Sequence, residues 1–235
     1  MKFPKVLKKR KGYIERIKPF MRKSVAKVLT GQRRVGKSFL LYQLIEEILF
    51  EEPDANIIYI NLEDFTFNAL QTSEDLHSYI ITNSKANQRN YIFVDEIQDI
   101  PEFEKVIRSL LLNEDNDIYI TGSNAKMLSG ELATYLSGRY IEFKVYSLSY
   151  PEFLEFHELS ENEKSYTLYS RYGGLPYLLN LPLEDETVNE YLKSVYSTIV
   201  FRDVVSRYKL RNTQFLEKLI QFLSENIGNL FSAKN

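Results

Sequence analysis

Gly31-Gln32-Arg33-Arg34-Val35-Gly36-Lys37-Ser38 fits the pattern G-x-x-x-x-G-K-[ST] without a mismatch. The residue types follow from the chemistry of a phosphate group. Glycines let the backbone wrap closely around an anion with its N–H groups turned inward. A helix that starts directly after the loop adds its positive N-terminal end. In such a loop the lysine, Lys37, reaches the β- and γ-phosphates, and the Ser38 hydroxyl is a ligand for Mg²⁺. The expected nucleotide-contacting stretch runs from Gly31 to Phe39. Its required context is present. The apolar run Ala26–Thr30 precedes it, and apolar residues at 40, 41, 44, 45, 48 and 49 draw one helical stripe over about Lys37 to Phe50.

Working outward, further strands are expected at Ile57–Leu62, Tyr91–Val94, Asp117–Thr121 and Tyr140–Val145. Helices are expected at Thr72–Thr82, from Pro101 to about Leu112, and from about Lys126 to Leu136. Tyr91–Val94 is apolar throughout, which suits a strand covered on both faces. The alternation of Ile141, Phe143 and Val145 with Glu142 and Lys144 suits an edge strand. Strands separated by helices predict an α/β fold with a parallel sheet. After Tyr146 only helices are expected, the first opening at the capping box Ser149-Tyr150-Pro151-Glu152.

Asp95-Glu96 closes the third strand. A carboxylate at the C-terminal end of a buried strand faces the crevice where open α/β sheets bind ligands. Asp95 is therefore placed to hold Mg²⁺, and Glu96 to act as general base toward a water. Read alone, the pair serves equally well as a helix N-terminus. The fourth strand ends Ile120-Thr121-Gly122-Ser123-Asn124, where Ser123 or Asn124 is expected to sense the γ-phosphate or position the water. Arg139 lies just before the fifth strand. By local sequence it is a surface arginine satisfying a helix end, with an arginine finger toward a neighbouring subunit as the alternative.

Composition narrows the rest. There is no cysteine, so disulfides and thiolate metal sites are excluded, and His77 and His157 are far apart in sequence. No apolar run is long enough for a membrane span and no secretory signal follows the basic N-terminus, so a cytoplasmic protein without membrane association is expected. The net charge of −2 hides an asymmetry: residues 1–23 hold ten Lys or Arg and one acid, Glu15, whereas the other 212 residues carry a net −11. Such an arm either contacts phosphate-rich partners, is solvated, or lies on the acidic body.

Five blocks together resemble the AAA+ superfamily of phosphate-loop ATPases, and more narrowly the prokaryotic predicted ATPases with a C-terminal domain of unknown function. They are GQRRVGKSFLL (31–41), YIFVDEIQDIP (91–101), ITGSNAKMLSGELATYLSGRY (120–140), YSLSYPEFL (146–154) and YGGLPYLL (172–179). The resemblance implies a five-stranded sheet ordered 5-1-4-3-2 and a helical lid after the fifth strand. It puts Ser123 at the sensor-1 position and Arg139 at the place of an arginine finger acting in trans in a homo-oligomer. Gly174-Leu175-Pro176 is similar to a lid motif in which the proline, Pro176, packs near the base. Arg34 departs from the glycine that many members carry. The implied domains are 1–146 for the leader and α/β domain, 147–210 for the lid, and 211–235 for the start of a winged helix cut short.

The expected function is an ATPase that couples Mg·ATP binding and hydrolysis to conformational change. The alternatives are a slow or non-hydrolysing nucleotide-gated switch or adaptor, and a DNA-associated regulator, with a DNA or protein partner met through the basic arm or a missing C-terminal domain. A GTPase is disfavoured because Asn83-Ser84-Lys85-Ala86 does not fit N-K-x-D.

Overall fold

The computed structural model describes residues 8–122, 136, 138–206 and 213–229. Five strands, β1 (Ala26–Thr30), β2 (Asn56–Asn61), β3 (Asn90–Asp95), β4 (Asn116–Gly122) and β5 (Tyr140–Lys144), form one sheet in the order β2-β3-β4-β1-β5. Every pairing is parallel. This is the expected 5-1-4-3-2 order, the phosphate-loop fold. Strand β1 sits between β4 and β5, so the turn that leaves it opens where neighbouring connections go to opposite sides of the sheet.

Alternation along the strands divides the core in two. Ile92 and Val94 of β3 join Ile118 and Ile120 of β4 on one face, under α3 (Ser73–Asn83) and α4 (Phe103–Leu110). Tyr91 and Phe93 join Tyr119 on the other face, where Phe93 and Tyr119 stack at 4.5 Å. That face is covered by α1 (Lys11–Ile17) and α2 (Lys37–Glu51), the latter burying Leu40, Leu41, Leu44, Ile45 and Ile48. The outcome is a sheet between two helical layers.

Two expectations shift. The helix expected to open at Pro101 starts at Phe103, because Glu102 takes a left-handed φ of 56° and breaks the helical run before it. The helix expected over 126–136 lies outside the described residues except for Leu136, which is buried. The capping box is present: the Ser149 N–H and hydroxyl each donate to Glu152 at 2.9 Å and open α5 (Tyr150–His157). With α6 (Glu163–Tyr172), it buries Leu148, Phe153 and Phe156 in a small core of its own.

The chain divides into two compact units, Met1–Leu183 and Glu184–Asn235. The second holds α7 (Asp185–Thr198), a π-helix over Ile199–Ser206, and α8 (Thr213–Glu225). No described helix is long and apolar enough to cross a membrane.

The connection from β5 to α5 is held by two close backbone approaches. A Cβ on Gly31 would lie 2.2 Å from the Val145 carbonyl oxygen, and one on Gly174 would lie 2.2 Å from that of Leu148. Leu148 N–H also donates to Gly174 at 2.7 Å. Gly174→Ala is therefore expected to force the two segments apart and lower stability by about 1–3 kcal/mol. Urea unfolding monitored by far-UV circular dichroism checks it, and an unchanged midpoint would mean the contact relaxes freely.

Candidate functional site

The site is built at the C-terminal ends of β1, β3 and β4. Gly31 leaves β1 with φ 147°, in the region L side chains avoid, and beside Val145 there is no room for a side chain. Gln32 and Arg33 follow, with Arg33 Nη1 at 3.4 Å from Glu63. Arg34 stands at φ 66°. This is the position where the resemblance expects glycine, and a left-handed arginine costs about 1–2 kcal/mol. Val35 is buried, and Gly36 at φ 94° is the N-cap of α2 without any side-chain cap. The first N–H groups of α2 thus have no intrahelical partner. Phe39 is half exposed on the first turn. A Cβ on Gly36 would meet the Pro176 ring at 3.7 Å, so the structure brings Pro176 against the loop.

Lys37 is 4% exposed. Its ammonium donates to the carbonyls of Gly31 (3.1 Å) and Gln32 (3.0 Å), folding back over the loop. Burial pushes its pKa down, and the nearby charges of Glu96 and Asp95 act to raise it. Asp95 ends β3 and is 1% exposed. Burial pushes its carboxyl above the ordinary aspartate range, opposed by hydrogen bonds from the Ser38 and Thr121 hydroxyls. Ser38 thus lies close beside Asp95. Glu96 takes φ 56°, is 8% exposed, and accepts from Gln98 Nε2 at 2.5 Å.

Two residues in the site went unread in the sequence. Thr121 joins the acidic pair: its hydroxyl donates to Asp95 and accepts the Glu96 N–H at 3.0 Å. The signal was a single hydroxyl ending the apolar run Ile118–Ile120. The single hydroxyl proton of Tyr59 on β2 has two acceptors in reach, Asp95 Oδ2 at 3.5 Å and the Tyr42 hydroxyl of α2 at 3.2 Å. Nothing local marks it. Ser123 and Asn124 lie outside the described residues.

Arg139 is exposed, and its carbonyl accepts the Ala26 N–H at the start of β1. The loop leaves the far end of that strand, about 13 Å away at ~3.3 Å per residue. Arg139 is therefore not among the residues the fold gathers at the loop of its own chain.

The donor set suits Mg²⁺. Described residues contain no cluster of three or more His, Cys, Asp or Glu that could cage a metal. Mg²⁺ needs none, since it keeps several waters and binds through one or two carboxylates plus phosphate oxygens. Ser38 and Asp95 offer such a partial set.

Residues 23–154 match the family model described as an AAA domain. The chain belongs to this family, the AAA+ phosphate-loop ATPases, and so to a nucleotide-binding, ATPase-like class. An uncharacterized protein of Haemophilus influenzae is 36% identical over 234 residues, covering 96% of this chain and 58% of the relative. One of Methanocaldococcus jannaschii is 32% identical over 221 residues, covering 88% of this chain and 48% of the relative. The chain thus spans about half the length of these relatives. Among solved structures it is similar to the Aeropyrum pernix ORC1 protein in complex with DNA (14% identity, TM-score 0.49, covering 83% of this chain and 66% of that one). It is also similar to the Saccharomyces cerevisiae Hsp104:casein complex (14%, TM-score 0.48, 83% and 38%). At that distance neither DNA nor casein binding passes to this protein.

Proposed function

We propose that the chain binds ATP with Mg²⁺ at residues 31–39 and hydrolyses it, coupling the nucleotide state to the helices that follow β5. The observation that carries this reading is Lys37. Its buried ammonium bonds two neutral carbonyls, while the carboxylates of Glu96 and Asp95 act on it only from nearby, an arrangement costly for a lysine. A polyphosphate would supply an anion bonded directly to it. The N–H groups of Gly36, Lys37 and Ser38 would hold phosphate oxygens, and Ser38 and Asp95 would hold the metal. When bound, Mg²⁺ neutralises charge on the phosphoryl oxygens. Glu96 would take the proton of the attacking water, and Thr121 would keep both acids in register. Pro176 would close over the loop near the base. Ser123 and Asn124 keep their expected roles toward the γ-phosphate.

Titration of the purified chain with ATP, with and without Mg²⁺, tests the proposal alongside a phosphate-release assay. Saturable binding with Mg²⁺-dependent release is expected. Absence of binding at millimolar ATP would sink it.

The slow-switch alternative draws support from Gln98, whose amide donates to one oxygen of the Glu96 carboxylate and so competes with a water for it. Arg139 would act only on a neighbouring subunit's nucleotide, so turnover per chain should rise with protein concentration. A flat dependence would remove that role. The DNA-regulator alternative is weakened by how the described arm spends its charge. Lys8 pairs with Glu158, Lys9 with Glu47, Arg10 with Glu152, and Arg22 with Glu51 and Glu52. Cytoplasmic location is part of the same reading.

A further inference from the structure

Arg10 belongs to the basic N-terminal arm, yet it is 4% exposed. Its five N–H donors meet five acceptors. Nη1 donates to the Val35 carbonyl of the phosphate loop at 3.2 Å and to that of Tyr146 at 2.8 Å. Nη2 donates to Ser147 at 3.4 Å and to Glu152 Oε2 at 2.9 Å, and Nε to Glu152 Oε1 at 2.8 Å. The residue is itself pinned. Its N–H donates to Gln43 of α2 at 2.9 Å, its guanidinium lies 4.5 Å from the Tyr13 ring centroid, and the Tyr13 hydroxyl accepts the Tyr146 N–H at 3.0 Å. One planar fork thus touches the phosphate loop, the connection after β5, and the first turn of α5.

The Val35 contact has a stereochemical consequence. The Val35 carbonyl and the Gly36 N–H belong to one planar trans peptide, so they point in opposite directions. Whatever fixes the carbonyl also aims the N–H. Gly36 is a loop amide at φ 94°, a conformation with many alternatives for glycine, and Arg10 removes that freedom from outside. Polarisation runs through the same peptide: an anion on the N–H makes the carbonyl a better acceptor for Arg10. On the far side, Glu152 is also the acceptor of the α5 capping box, so a change at Arg10 reaches the helix through a group the helix needs. The connection between them does not absorb the change. Val145 N–H bonds Thr30 at 2.7 Å, and Gly31 and Gly174 press on its two ends.

We infer that Arg10 is a positioning residue that aims the Gly36 N–H at a bound phosphate and carries the loop's occupancy to helix α5 through Glu152. The inference rests on the phosphate-loop reading above. Lysine cannot substitute, because its three donors on a compact ammonium do not span five acceptors in a plane.

The test is hydrogen–deuterium exchange on the full chain, with and without saturating ATP, for the wild type, Arg10→Lys, Arg10→Met and Ser149→Ala. In the wild type ATP should slow exchange in both 31–38 and 150–157. In Arg10→Lys and Arg10→Met it should still slow 31–38, at about tenfold weaker ATP affinity or more, but leave 150–157 unchanged. Ser149→Ala removes one donor from Glu152, the carboxylate the Arg10 fork also holds, but leaves every Arg10 donor in place, so its α5 should exchange faster overall and still respond to ATP. Should Arg10→Met fail to fold, Arg10→Lys decides alone. A full ATP response at 150–157 in Arg10→Lys overturns the relay while leaving nucleotide binding intact. No ATP response at 31–38 in the wild type overturns the phosphate-loop reading and this inference with it.

Discussion

Glu96→Gln is expected to cut ATP turnover by about 10²–10⁴-fold, the range general-base catalysis contributes, while leaving ATP affinity close to wild type. The backbone should tolerate the change, since glutamine is isosteric and the Glu96 N–H keeps its bond to Thr121. The Gln98 amide that now donates to the carboxylate can instead donate to the new amide oxygen. What is lost is the proton-accepting capacity, together with one negative charge near Lys37. Lys37→Ala is expected to do something different. It removes a cation held over the loop and should weaken ATP binding by about tenfold to a hundredfold, the loss of a hydrogen bond to a charged group, and abolish turnover with it. Its stability should not fall much, because the deleted ammonium is itself an expense in the folded chain. Phosphate release and equilibrium nucleotide binding, measured side by side, separate the two. Unchanged turnover in either variant removes that residue from the site, and an affinity loss in Glu96→Gln matching that of Lys37→Ala would make Glu96 a binding group instead of a base.

The parts of this site legible in the sequence are those where chemistry dictates residue type at fixed local spacing. Gly31, Gly36, Lys37 and Ser38 occupy one loop and its helix, and Asp95-Glu96 ends an apolar strand, so a reader of one dimension sees them. The sheet was legible for a related reason, since strands buried on both faces must be apolar. Thr121, Tyr59 and Arg10 were not, because each acts on a residue remote in sequence. Thr121 reaches Asp95 only because parallel pairing sets β4 beside β3, with Val94 opposite Ile120. Arg10 finds Glu152 across 142 positions, and its place in a run of lysines made it look like any other arm residue. The start of α4 was misplaced for the opposite reason. Pro101 is a good first-turn residue, but the left-handed Glu102 reflects how the chain must turn after the site, which no propensity at Pro101 encodes.

The strand Ala26–Thr30 hides one more such case, with the largest expected effect on folding. Lys27 reads as a polar interruption of an apolar strand, yet its side chain is 0% exposed and paired with Asp117, 1% exposed, on β4. Burial pushes the Lys27 pKa down in spite of Asp117's attraction, so the pair lies in surroundings that penalise charge. Breaking such a pair from one side costs about 3–5 kcal/mol, because the charge left behind stays buried. The two sides are unequal. Lys27 also donates to the carbonyls of Val25 (2.8 Å) and Lys23 (3.3 Å), whereas Asp117 also accepts from the Tyr119 hydroxyl (2.9 Å) and the Arg22 N–H (2.7 Å). Lys27→Met leaves a carboxylate with two donors still in place. Asp117→Ala leaves an ammonium on carbonyls, a buried tyrosine hydroxyl and a backbone N–H without their acceptor, and a cavity. Asp117→Ala is thus expected to destabilise by the full 3–5 kcal/mol or about that, and Lys27→Met by clearly less. Adding Lys27→Met to Asp117→Ala should recover part of the loss, since the stranded charge is gone. Denaturant midpoints for the two single variants and the double provide the check. A double variant worse than Asp117→Ala alone would show that Lys27 contributes through its packed methylenes more than through its charge.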